Sequence, residues 1–105
     1  MNLFSPLPDV SSGECIDALF ERPGCRVERI VSWGQSSPAG FWYEQDWDEW
    51  VLILAGGAVL TMETRPKPVS LACGDYLMIP AGVRHRVEST ETETPTIWLA
   101  IHFAK

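Results

Sequence analysis

The chain has 105 residues, 46% of them apolar, and carries eight basic against fourteen acidic side chains, a formal net charge of −6. This length suits one domain, and the apolar fraction is ordinary for a folded protein, which argues against general disorder. The acidic balance, with no cluster of Lys or Arg, argues against nucleic acid as a partner.

The sequence shows neither a membrane span nor a secretion signal. No apolar run approaches the ~20 residues that a membrane helix needs, and no basic segment precedes an apolar one at the N-terminus. We therefore expect no membrane partner and a cytoplasmic location. The three cysteines lack a CxxC spacing, so they predict neither a disulfide framework nor a zinc knuckle.

The first residues differ in composition from the rest. Residues 1–13 contain Pro6, Pro8 and Gly13, which is typical of an arm rather than of a core element. Residues 14–105 then form a single domain. The stretch 14–20 is too short for its periodicity to distinguish a helical turn from a strand.

From residue 26 onward the pattern is that of an all-β protein, with short apolar runs between Gly, Pro or Ser clusters. The predicted strands are residues 26–32, 41–54, 58–64, 69–72, 76–79, 83–89 and 96–103. Gly56-Gly57 is typical of a hairpin, and Pro66 with Pro68 forces a turn. A total of about eight or nine strands without a long helix predicts an antiparallel β-sandwich or closed β-barrel.

The strand predicted to start at Phe41 has an unusual face. Side chains alternate along a strand. Every second residue of this one therefore shares a face: Tyr43, Gln45, Trp47 and Glu49. A buried carboxylate is costly unless it is paired, hydrogen-bonded or bound to a metal. This mixture of aromatic and coordinating groups suits a ligand-lined lumen better than a plain core.

A second cluster extends from Gly74 to His85. Gly74 and the turn Pro80-Ala81-Gly82 stand on either side of a four-residue apolar strand. The next strand begins close to His85. A histidine so placed is a natural metal ligand or acid–base group.

These two clusters resemble the two motifs of the cupin superfamily, in particular those of small bacterial single-domain cupins. The second motif is matched by the spacing Gly74, five residues, Pro80, one residue, Gly82, two residues, His85. Glu49, six residues and Gly56 match the second half of the first motif. The resemblance covers most of the chain beyond residue 25 and implies an antiparallel β-barrel, the double-stranded β-helix or jelly roll.

The match departs from the family pattern at one pair of positions. In metal-dependent cupins a histidine pair, a glutamate and the histidine of the second motif bind iron, manganese, nickel or zinc. Here Tyr43 and Gln45 occupy the positions of the histidine pair. The resemblance implies metal roles for Glu49 and His85. Gln45 is a tolerable third ligand, because an amide oxygen can coordinate a hard cation.

The leading interpretation is a metal-dependent enzyme, of dioxygenase or isomerase type, that acts on a small polar or aromatic molecule. In it Gln45, Glu49 and His85 hold a divalent metal ion (Fe, Mn, Zn or Ni), His85 is also a catalytic residue and Tyr43 is a proton donor.

The alternative is a metal-free cupin that binds a sugar or a carboxylate without catalysis, in which Arg84 or Arg86 neutralises Glu49. A purely structural dimer is less attractive, because a glutamate and a histidine are costly to bury as lumen filler.

The position of His102 is left open by the sequence. His102 shares its parity with Trp98 and Ala100 and could enter the lumen as a further ligand, but a histidine near a C-terminus is more often exposed.

The resemblance also implies an oligomeric state. Small cupins usually dimerise through edge strands, and residues 1–13 are long enough to cover a neighbour's edge. We therefore expect a homodimer.

Overall fold

The computed structural model describes residues 2–104, in which it has eight β-strands and no helix. The strands are β1 (Cys15–Arg22), β2 (Cys25–Ser32), β3 (Trp47–Ala55), β4 (Gly57–Met62), β5 (Val69–Ala72), β6 (Tyr76–Ile79), β7 (His85–Thr90) and β8 (Thr96–Ala104). The predicted all-β class is confirmed, and residues 15–20 lie in a strand rather than a helical turn. None of the described residues belongs to a helix that could cross a membrane.

The strands form two antiparallel sheets, as a jelly roll requires. The large sheet has five strands in the order β1-β2-β8-β3-β6, and the small sheet has three in the order β5-β4-β7. The last strand, β8, therefore lies in the middle of the large sheet. Its register with β3 sets Glu49 directly opposite His102. This pairing brings side chains from distant parts of the sequence to one place.

The hydrophobic core lies between the two sheets. Its buried side chains come from both: Val51, Ile53, Ala58, Leu60, Met62, Leu71, Leu77, Ile79, Trp98 and Ala100. Strand β3 alternates strictly, with its odd-numbered residues from Glu49 to Ile53 turned inward. Ile53 is 0% exposed. Truncating a side chain buried to this degree costs about 2–5 kcal/mol of folding stability.

The hairpin predicted at Gly56-Gly57 is wrong. Strand β3 pairs with β6 and β8, whereas β4 pairs with β5 and β7, so the chain changes sheets at these glycines. Gly56 has φ +79°. A Cβ atom there would lie 2.5 Å from Thr96 Oγ1 and 2.7 Å from the Pro95 carbonyl oxygen. The glycine therefore permits a close crossing over the start of β8 and not a two-residue turn.

The single strand predicted over residues 41–54 is also wrong, because β3 begins only at Trp47. Upstream of it the chain pairs with the small sheet. Tyr43 and His85 form an isolated bridge in which each N–H donates to the other residue's carbonyl, at 2.7 and 3.0 Å. Gln45 accepts a backbone bond from Gly82 at 2.7 Å. The chain must bend between Gln45 and Trp47 to leave one sheet and join the other.

The N-terminal segment contacts its own domain. Arg29 of β2 donates to the carbonyl oxygen of Pro6 at 3.0 Å, and the Gln35 amide donates to that of Val10 at 2.9 Å. Val10 is buried. That residues 1–13 reach a neighbouring subunit stays a prediction, as does the homodimer.

Candidate functional site

A cavity of about 190 Å³ lies between the two sheets. Tyr43 and the three predicted metal ligands line it together with polar residues of β2 and β8: Arg26, Glu28, Tyr43, Gln45, Glu49, His85 and His102. Apolar side chains complete the wall, among them Val51, Leu60, Ile79 and Trp98. Pockets for drug-sized ligands measure about 300–1,000 Å³, so this cavity suits a smaller molecule.

Glu49 is the centre of the polar group, and its side chain is buried. Its Oε1 accepts a hydrogen bond from Gln45 Nε2 at 2.7 Å. His85 Nε2 lies 3.7 Å from the same oxygen, and His102 Nε2 lies 3.9 Å from Oε2. The structure thus brings Gln45, Glu49 and His85 together and adds a second imidazole beside the other oxygen of the carboxylate.

His85 is held in one orientation. It is buried at the start of β7, and its Nδ1 lies 3.1 Å from the carbonyl oxygen of Val83. Because a carbonyl oxygen accepts, Nδ1 is the donor of this contact, and Nε2 faces Glu49. An imidazole whose second nitrogen is anchored to a carbonyl is the usual arrangement of a metal-ligating histidine.

Tyr43 packs on His85. The two rings are stacked with centroids 5.5 Å apart and planes inclined by 23°, and Phe41 packs edge-on against Tyr43 at 4.8 Å. Burial, assisted by the carboxylates of Glu14 and Glu49, raises the pKa of Tyr43 above its ordinary value of 10.0. The phenol therefore keeps its proton at neutral pH.

The expectation that His102 is exposed is wrong. The residue is 5% exposed and lines the cavity. Proximity to the C-terminus was misleading because β8 is a central strand of the large sheet rather than an edge strand. His102 Nε2 lies 2.9 Å from Glu28 Oε1, and Arg26 Nε lies 3.0 Å from Glu28 Oε2. These three residues form a connected polar group in the cavity, next to Oε2 of Glu49.

Glu28 is the site residue that sequence reasoning missed. It is buried on the inward face of β2, beside Arg26 and Ile30, which share its parity. The alternation of side chains along β2 could have revealed Glu28, because it lies between Arg26 and Ile30, which face the cavity. No motif marks it, however, and its partner His102 lies 74 positions later in the sequence.

Neither arginine suggested as a partner of Glu49 approaches it. The Arg84 guanidinium lies over the ring of Trp42, 5.1 Å from its centroid, and Arg86 pairs with Glu88 at 2.9 Å. Alternation explains both positions, since His85 points inward and its two neighbours point away. Within residues 2–104, no Arg or Lys lies at ion-pair distance from Glu49, and the nitrogens at that distance belong to the two imidazoles.

The donors fit a divalent cation in part. Ligands about 2.0–2.2 Å from a common metal lie about 3–4 Å apart, and His85 Nε2 and Glu49 Oε1 meet this condition at 3.7 Å. The Gln45 amide nitrogen donates to the same Glu49 oxygen. Rotation of the amide group by half a turn would point the amide oxygen of Gln45 toward that position instead. Across residues 2–104 no three His, Cys, Asp or Glu side chains are arranged as a metal site. A third protein ligand must therefore be the Gln45 amide or a side chain that shifts.

Comparison with known proteins agrees with the fold. The family model of the cupin domain matches residues 31–102, more than half of the chain. No curated protein matches the sequence.

Among solved structures, a candidate mannose-6-phosphate isomerase from Ralstonia eutropha JMP134 is 43% identical, with a TM-score of 0.96 over 100% of this chain and 97% of that chain. A cupin superfamily protein from Desulfitobacterium hafniense DCB-2 is 22% identical, with a TM-score of 0.77 over 94% of this chain and 84% of that one. The cupin domain of Schizosaccharomyces pombe Cnp3 is 13% identical, with a TM-score of 0.80 over 99% and 68%. The last two show the fold alone. From the family match and the first relative, the chain belongs to the cupin family.

Proposed function

We propose that this cupin is a metal-dependent enzyme acting on a small, polar, unphosphorylated molecule, with Glu49, His85 and Gln45 as ligands of a divalent cation. The observation that carries the proposal is the environment of Glu49, a buried carboxylate that faces imidazoles rather than arginine or lysine. Such a carboxylate is stabilised by a bound cation.

The residues around this position suit proton transfer next to a carbonyl group. A bound cation supplies Lewis-acid polarisation of a substrate oxygen. Tyr43 keeps a neutral phenol beside His85 and can donate its proton to an oxygen that develops negative charge. The apolar wall, which includes Leu60 and Trp98, keeps bulk water away from the reacting atoms. Isomerisation of a small hydroxycarbonyl compound is the reaction that these groups support best, with the Glu14 carboxylate of the cavity wall as the base that would take the proton from carbon and return it.

The charge of the cavity favours a substrate without a phosphate. Three carboxylates, Glu14, Glu28 and Glu49, line it together with one guanidinium, Arg26, which is already paired with Glu28. The described residues form no helix, so they offer no helix N-terminus for an anion. The name of the Ralstonia relative supports isomerase chemistry, whereas this lining argues against a phosphorylated sugar.

One observation favours the metal-free alternative. The Gln45 amide already donates to Glu49 at 2.7 Å, so the carboxylate has a hydrogen-bond partner without a metal. In a binding protein the same groups, with the Tyr43 hydroxyl, would hydrogen-bond the hydroxyls of a sugar.

Metal content decides between the two functions. We expect untagged wild-type protein to retain about one divalent metal per chain, and His85→Ala to lose it. Arg84→Ala is the matched control, because its side chain is adjacent in sequence but points away from the cavity. A panel of short aldoses and ketoses should show interconversion that a chelator abolishes. Metal-free protein that binds a sugar unaltered would establish the binding function instead.

A further inference from the structure

We infer that His102 is a metal ligand, and that it replaces the histidine pair missing from the first cupin motif. This inference rests on the proposed metal-dependent function and goes beyond it, because His102 belongs to neither motif. The ligand set becomes Glu49, His85 and His102, two imidazoles and one carboxylate, which suits Zn²⁺, Fe²⁺ or Mn²⁺ and leaves positions open for substrate.

The register of the large sheet places His102 at the site. It lies directly opposite Glu49 on the neighbouring strand β8. Its Nε2 is 3.9 Å from Glu49 Oε2, while His85 Nε2 is 3.7 Å from Oε1. Both distances are within the separation of two ligands of one metal, about 3–4 Å. A cation held by Glu49 would therefore have both imidazoles as candidate ligands.

All three side chains are buried on strands of the two sheets. Glu49 is 8% exposed and each histidine is 5% exposed. The cavity thus holds two buried carboxyl groups, Glu49 and Glu28, and one guanidinium, Arg26, which pairs with Glu28. A divalent cation would balance Glu49, which has no Arg or Lys at ion-pair distance among residues 2–104.

Glu28 competes for His102 in this arrangement. In the structure it holds His102 Nε2 at 2.9 Å. Coordination would need the free lone pair of that nitrogen, so the ring would turn from Glu28 toward Glu49. This turn is part of the proposal, because over residues 2–104 no three His, Cys, Asp or Glu side chains are arranged as a metal site.

The composition of the chain allows a direct test, because it contains two histidines. Protein labelled with ¹⁵N-histidine gives two imidazole spin systems, which His102→Gln assigns. We expect one equivalent of Zn²⁺ to shift the Nε2 resonances of both rings. A shift at His85 alone would overturn the inference while leaving the proposed metal function intact. No shift at either ring would overturn both.

Affinity measurements give a second readout. Zinc titration by calorimetry should show a loss of at least about 10-fold for His102→Gln, whereas Glu28→Gln, which frees His102 Nε2, should bind zinc at least as tightly as the wild type. Glu63→Gln, an exposed carboxylate outside the cavity, is the matched control and should bind as the wild type does. Unchanged affinity in His102→Gln would contradict the inference. The spectrum of the wild-type protein decides the question if a variant does not fold.

Discussion

The two ends of the β3–β8 pair are both buried but have opposite chemistry. At one end Glu49 faces His102, and at the other Ile53 faces Trp98, after which Gly56 crosses over the start of β8. The apolar end gains stability from burial, whereas the polar end holds groups that are costly to bury. The comparison indicates that stability and function are separated along one pair of strands, and substitutions at each end can test this separation.

Gly56→Ala should have the largest effect, and on stability alone. A methyl group would meet Thr96 and Pro95 at 2.5–2.7 Å, in a backbone conformation that already disfavours alanine. We expect a loss of about 3 kcal/mol or more in the free energy of unfolding, measured by urea denaturation. The metal affinity of the molecules that remain folded should not change.

Gly74→Ala is the matched control for this substitution. Gly74 has a similar φ of +89°, but a Cβ atom there meets nothing within 4 Å. Its cost is the backbone conformation alone, about 1 kcal/mol. Equal losses in the two variants would show that the close crossing at Gly56 is not what stabilises this end.

Glu49→Gln, at the polar end, should lower metal affinity without lowering stability. We expect zinc affinity to fall about 100-fold, because a charged ligand becomes neutral. The free energy of unfolding of the metal-free protein should stay the same or rise, since a buried charge is removed. Calorimetry and urea denaturation measure the two quantities. A stability loss as large as that of Gly56→Ala, with metal affinity retained, would reverse the assignment of the two ends.

The same contrast explains what the sequence could predict. Glu49 and His85 were found because each belongs to a local motif whose turns are marked by glycine and proline. Glu28 was missed, and His102 was considered as a ligand but expected to be exposed. Both meet Glu49 or each other through the register of β2, β8 and β3, and single-sequence patterns do not specify which strands become neighbours. Gly56-Gly57 misled for a related reason. Two glycines indicate a tight backbone path but do not distinguish a hairpin from a change of sheet.

The ionisation of Tyr43 gives a further test of the polar end. In metal-free protein, ultraviolet titration should show a phenol that ionises above the ordinary value of 10.0, and Tyr43→Phe should remove this transition. Because the raised pKa belongs to the folded state, its stability contribution is complete below pH 10.0 and is lost as pH rises through the folded pKa. A phenol in this position that ionises at or below its ordinary value would contradict the described burial.

The smallest effect is expected from phosphate. Inorganic phosphate or mannose 6-phosphate at millimolar concentration should raise the Tm of the metal-loaded protein no more than mannose does, because carboxylates outnumber the single guanidinium in the cavity wall. Glu14→Gln removes one of these carboxylates and should reduce the difference between the Tm increase with mannose and that with the phosphate compounds. A Tm increase of several degrees with either phosphate compound alone would show that the polar end accepts anions.

The central claim is that the polar end of the β3–β8 pair holds a divalent cation on Glu49. Anomalous diffraction at the zinc absorption edge, from crystals grown with Zn²⁺, tests it most directly. The account predicts one strong peak about 2.0–2.2 Å from Glu49 and His85. Zinc peaks confined to surface carboxylates, with none in the cavity, would contradict it.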